Sequence, residues 1–157
     1  MQSPFLPSQQ NLLSQFLLTT KYFDYNEAVV IRRDESGEII SGSRVAKVQS
    51  TMDDKAAYSS YATMIRPEES ILIYNDHRNN LAYTGSGKVA PMVKGKKMVV
   101  VAARVNVQGE IQRVKLFTWG EADTKPRPSF GVQLNANEIL LFGQQELKKQ
   151  RFIRVRF

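Results

Sequence analysis

The chain has 157 residues, 42% hydrophobic and 24% charged, which is enough for one domain to bury a core without covalent staples. It contains no cysteine and a single histidine, His77, so disulfides, thiolate metal sites and cysteine nucleophiles are excluded and a Ser-His-Asp triad has little to draw on. The net charge of +7 is uneven: Met1–Arg78 carries 8 Lys and Arg against 10 Asp and Glu, whereas Asn79–Phe157 carries 14 against 5.

A basic half raises the local concentration of polyanions and is the usual electrostatic footprint of nucleic-acid binding. No apolar run approaches the roughly 20 residues that span a bilayer. The first residues lack the basic start of a signal peptide, and Ser3, Pro7, Gln9, Gln10 and Asn11 interrupt their apolar residues. The expectation is a protein of a cytoplasm-like compartment, or of a virus particle assembled there.

Residues 1–7 hold two prolines and no period, and read as an extended arm. Ser8 is placed to cap a short helix over Gln9–Thr19, where Leu12, Leu13, Phe16 and Leu17 form one apolar stripe. That stripe suits either the chain's own core or a neighbouring subunit. Residues 1–20 are therefore expected as an arm with a short amphipathic helix, and residues 21–157 as one β-rich domain.

From Ala28 onward the pattern is β. Ala28–Arg33 and Glu38–Ser43 flank Asp34-Glu35-Ser36-Gly37, a hairpin signal, and Arg44–Gln49 extends the second strand. Asp53–Met64 reads as a second helix capped by Asp53 or Asp54, although Ser59, Ser60 and Thr63 compete for backbone hydrogen bonds. Ser70–Tyr74 and Leu81–Thr84 read as another hairpin over a loop carrying His77, and Gly85–Gly95 as a flexible segment.

The clearest unit is Met98–Gly120, two strands meeting at Gln108-Gly109. A two-residue loop pairs Arg104 with Arg113, Ala102 with Lys115, Val100 with Phe117 and Met98 with Trp119; a slip of one residue exchanges the faces of one strand. Gln133–Phe142 gives one more short strand and Gln144–Gln150 a helical turn. In Arg151–Phe157, Ile153, Val155 and Phe157 alternate with Phe152, Arg154 and Arg156, which predicts a half-buried strand. The fold class expected is mainly β, a small barrel or sandwich with OB-like geometry among the options, plus the arm with its short helix and one further short helix.

Period-two spacing would place Arg113, Lys115, Phe117 and Trp119 on one face of a strand. Cations tracking a backbone and rings stacking on bases are how single-stranded nucleic acid is held, at ~1–3 kcal/mol per stacked base. The same residues also suit a core with a solvated basic rim. Phe152, Arg154 and Arg156 repeat the theme, or guard an edge strand with charge. Lys94, Lys96 and Lys97 around Gly95 suit phosphates as point charges.

Gly85-Ser86-Gly87-Lys88 fails as a P-loop, because Ala82 stands where the first glycine belongs and Val89 where Ser or Thr would hold magnesium. Glu68 and Glu69 read as a solvated turn. No catalytic or metal-binding constellation stands out, and no cofactor is implied.

The Val99–Gly120 hairpin, ending in Val114-Lys115-Leu116-Phe117-Thr118-Trp119-Gly120, resembles the central strands of bacterial single-stranded-DNA-binding OB-folds over about a seventh of the chain. The leading expectation is a non-enzymatic protein binding single-stranded DNA or RNA with little sequence preference, through Arg104, Arg113, Lys115, Phe117, Trp119, Phe152, Arg154, Arg156, Lys96 and Lys97. The alternative is a structural subunit of a virion or phage assembly, a homo-oligomer joined through residues 1–19.

Overall fold

The computed structural model describes residues 20–92, 97–145 and 149–157. The helix expected over Gln9–Thr19 and the lysines at 94 and 96 lie outside them. Among the described residues the fold is mainly β, all its strand pairs are antiparallel, and no helix is long and apolar enough to cross a membrane.

The central sheet runs β5 (Ala62–Ile65), β6 (Glu69–His77), β7 (Met98–Asn106), β8 (Ile111–Thr118), in that order across it. β6 and β7 are buried along almost their whole length, which explains their near-continuous apolar runs. Their two faces feed two apolar clusters. Ile71, Ile73, Met98, Val100 and Ala102 meet Ile139 and Leu141 of β11 (Glu138–Gln145) and Ile153 and Val155 of β12 (Lys149–Arg156). Leu72, Tyr74, Val99, Val101 and Ala103 meet Ala28 and Val30 of β2 (Ala28–Arg33) and Val45 of β3 (Ile39–Val45).

The third sheet places β10 (Val132–Asn135), β11 and β12 in order, with the two-residue β9 (Lys125–Pro126) sharing the β10 side of β11. Gln133 fastens this sheet to the central one by accepting the Ile65 N–H at 2.9 Å and donating to the Ile65 carbonyl at 3.0 Å. Gly131 is required where this chain crosses β5, because a Cβ there would lie 2.4 Å from that of Ala62. A short pair, β1 (Tyr22–Asp24) with β4 (Ser50–Met52), completes the set. No sheet closes on itself among the described residues.

Several elements differ from the sequence reading. Asp53–Met64 is not a helix: Asp53, Lys55, Ala56 and Ser60 all have positive φ, Asp54 accepts the Ala56 N–H at 3.0 Å, and β5 starts at Ala62. Side chains that compete for local backbone groups turn the chain instead. β6 continues from Ser70 through His77, and Leu81 falls in a 3-10 turn over Arg78–Ala82, so the expected 70–84 hairpin is absent. His77 is buried and its Nδ1 accepts the Asn79 N–H. Glu69 is buried between Arg66 and Arg104 rather than solvated. Gln133–Phe142 is two strands, and the segment expected as a helical turn lies in β11 and β12 at its two described ends.

The β7–β8 register is shifted by one residue near its loop. The loop has three residues: the Asn106 N–H bonds the Glu110 carbonyl, and Asn106 Oδ1 accepts the N–H groups of Gln108 and Glu110. Gly109 closes it at φ 85, a conformation that favours glycine. Arg104 therefore faces Gln112 and Ala103 faces Arg113. A bulge at Leu116 then restores Val100 opposite Phe117.

Polar groups in the interior converge on Asn75 of β6. Its amide donates to the Tyr58 carbonyl at 2.9 Å and the Pro126 carbonyl at 2.8 Å, while Oδ1 accepts Trp119 Nε1 at 2.8 Å. Its backbone carbonyl accepts Gln49 Nε2 at 2.8 Å, and Gln49 Oε1 in turn accepts Lys47 Nζ at 2.7 Å. Lys47, 1% exposed, also donates to the Tyr25 carbonyl. Burial pulls its pKa down to about 8, against the opposing pull of Asp76.

Asn75→Ala leaves the Trp119 N–H and two carbonyls without their partner, and is expected to cost roughly 3 kcal/mol in a denaturant melt. Lys47 has a folded pKa below its unfolded one, so between pH 8 and 10.5 the unfolded chain holds a proton that the folded one has released. Stability therefore rises with pH there, by about 1–2 kcal/mol from pH 8 to 9.5, and Lys47→Met should remove that slope.

Candidate nucleic-acid interface

The bulge at Leu116 decides where the β8 residues go. Arg113 and Lys115 stay on the β2–β3 side, whereas Phe117 packs against the cluster shared with β11. Trp119 is 9% exposed, bonded to Asn75, with the Tyr58 ring at 5.8 Å. The expected row of four is thus split between two faces, and its indole is not an open stacking surface.

Three of the cations of this region are engaged with groups of the protein itself. Arg104 grips Glu69 with both Nε and Nη2 at 2.7 Å, which holds the Glu69 carboxyl below the usual range. Arg113 donates to the Tyr83 and Ala46 carbonyls at 3.1 and 3.2 Å and lies over the Tyr83 ring. Lys115 pairs with Glu121 at 3.1 Å. Lys97 is exposed at the start of β7.

The other predicted group comes together. Along β12, Ile153, Val155 and Phe157 turn to the core, and Phe152, Arg154 and Arg156 turn to solvent. β11 alternates in the same phase, so Phe142 lies opposite Phe152, Leu140 opposite Arg154 and Glu138 opposite Arg156. Phe130, from a 3-10 turn over Pro128–Phe130, adds a third ring.

The Phe130 and Phe142 centroids are 6.1 Å apart, and those of Phe142 and Phe152 5.6 Å. Phe130 and Phe152 are 55% and 72% exposed. Arg127 lies 4.6 Å from the Phe130 ring centre and donates to Gln144 Oε1 at 2.9 Å. Val132 and Leu140 complete the apolar strip.

Arg154 and Arg156 border the strip on β12. Arg156 bonds Glu138 at 2.6 Å, and that bond, with one from Asn135, holds the Glu138 carboxyl below its ordinary value. Arg154 makes no ion pair within 4 Å among the described residues, and its charge adds to the lowering of Glu138. Rings in an open row, with guanidinium groups at their margin, can stack on planar bases and meet phosphates together.

Phe130, Phe142 and Arg127 were not singled out by the sequence. Phe142 closes a predicted strand, but the turn at Ala136-Asn137 carries no glycine, so the separate β10 and the shared face were not visible. Phe130 lies in a proline-flanked loop without a period. Among the described residues no three His, Asp or Glu side chains gather as a metal site. No protein-family model, no curated protein and no solved structure matches the chain.

The single tryptophan makes the split of the β8 row measurable. Trp119 emission should be blue-shifted, with acrylamide quenching several-fold weaker than for free indole; red emission with full quenching would place the ring in solvent.

Proposed function

We propose that this protein binds single-stranded nucleic acid, with little sequence preference, on the outer face of the β10–β12 sheet of an open, sandwich-like β body. One observation carries the reading: Phe130, Phe142 and Phe152 form a row of rings across neighbouring segments of a solvent-facing sheet, bordered by Arg127, Arg154 and Arg156. A ring offers a π-face that every base can meet, which is why such contacts tolerate sequence. The arginines supply charge without base-edge discrimination, since phosphate contacts position a strand rather than read it. The excess of 14 basic over 5 acidic side chains in Asn79–Phe157 adds the long-range attraction. Arg104, Arg113 and Lys115, engaged with groups of the protein itself, contribute to that field rather than to the contact surface.

The test is a fluorescence-anisotropy titration with a labelled oligothymidylate at several salt concentrations. Phe152→Ala should weaken binding by roughly 5- to 150-fold, the worth of one stacked base. Arg154→Glu should weaken it and lower the slope of log affinity against log salt by about one or more. Both positions are exposed, so the fold should survive either change. Unchanged affinity in folded variants would sink the proposal.

A further inference from the structure

The β2–β3 pair covers only part of the central sheet's second face. Beyond β2, the side chains of Tyr61, Thr63 and Ile65 border a cleft of about 220 Å³, with Val29 and Ile31 on its other side and Leu72 in its lining. Val29, Ile31 and Ile65 are 66%, 53% and 60% exposed. Among the described residues β2 pairs with β3 alone, so its other edge is open. The cleft is lined by no charged side chain. Aliphatic side chains gathered in water around one cleft mark a docking surface.

We propose that residues 9–19 of the same chain seat in this cleft, with Leu12, Leu13, Phe16 and Leu17 towards it. Two further observations favour this occupant. Residues 1–20 contain no charged side chain, so covering a charge-free cleft with them strips no ion of its water. The exit point is also close. Lys21 is fixed on Asp53, its N–H to Asp53 Oδ1 at 2.8 Å and its carbonyl to the Asp53 N–H at 2.9 Å. From Asp53 the chain turns to Tyr61 at the cleft, and the Thr51–Ser59 contact of 3.2 Å pins the two ends of that turn together. An apolar stripe tethered a few residues from its groove meets it at high effective concentration. The surface is separate from the phenylalanine row and does not depend on the nucleic-acid reading.

The absence of native cysteine makes a disulfide test clean. In the full chain, cysteine is placed at Leu12, Leu13, Phe16 or Leu17 and paired in turn with Thr63→Cys beside the cleft or Arg154→Cys on the outer face of β12. At least one stripe position should form an intramolecular disulfide with the cysteine at 63 about tenfold faster than with that at 154, as an effective-concentration difference would give. Adding Ile65→Asp, at an exposed position, should erase the difference. Equal rates to both positions would overturn the proposal. So would disulfides that form only between chains, which would place the segment on a neighbouring copy.

Discussion

The structure depends on Asn75 having every polar group of its side chain satisfied. β6 is buried along almost its whole length, and Asn75 sits near its C-terminal end at zero exposure. Its amide and carbonyl oxygen tie together the turn at Tyr58, the β9 strand at Pro126 and the ring of Trp119 after β8. A buried amide left half-bonded is costly, whereas a fully bonded one fixes a single arrangement of its neighbours. The link to Pro126 matters for the candidate surface. β9 pairs with β11 at Gly143 and Gln144, one turn before the Pro128–Phe130 segment that presents Phe130. The hub thus holds the start of the third sheet against the central one.

Electrostatics then sorts the basic half. The sequence shows its cations but not their partners. Glu69, Glu121, Asp123 and Glu138 engage Arg104, Lys115, Arg151 and Arg156. Apart from Arg104–Glu69, whose carboxylate is buried, these exposed or half-exposed pairs each add little to stability. Their effect is to decide which cations face solvent with charge to spare. Arg154 does, beside the aromatic strip, and Arg156 shares one carboxylate at the margin.

What was legible in the sequence follows from which signals are local. The β2–β3 hairpin and the alternation of β12 were readable, because period-two patterning needs only neighbouring residues. The role of β8 was not. Its pattern Arg113, Lys115, Phe117, Trp119 is perfectly alternating, yet a three-residue loop shifts the register by one and an extra residue at Leu116 shifts it back. Neither leaves a strong mark, since Gln108-Gly109 fits either loop length. The failed Asp53–Met64 helix has another cause: a turn-forming cluster with positive φ at Asp53, Lys55, Ala56 and Ser60, in which Asp53 bonds Lys21, Asp54 accepts the Ala56 N–H and Ser60 bonds Gln49. Phe130 meets Phe142 only through tertiary structure, so one of the three rings of the aromatic row carried no sequence signal at all.

Nucleic acid is proposed to lie on the phenylalanine row beside β11 and β12 rather than on β8. Ultraviolet crosslinking of the unmodified protein to an oligothymidylate, followed by mass spectrometry of the adducted peptides, tests it most directly. Adducts are expected on the peptides that hold Phe130, Phe142 and Phe152. Adducts confined to the peptide holding Phe117 and Trp119 would contradict it.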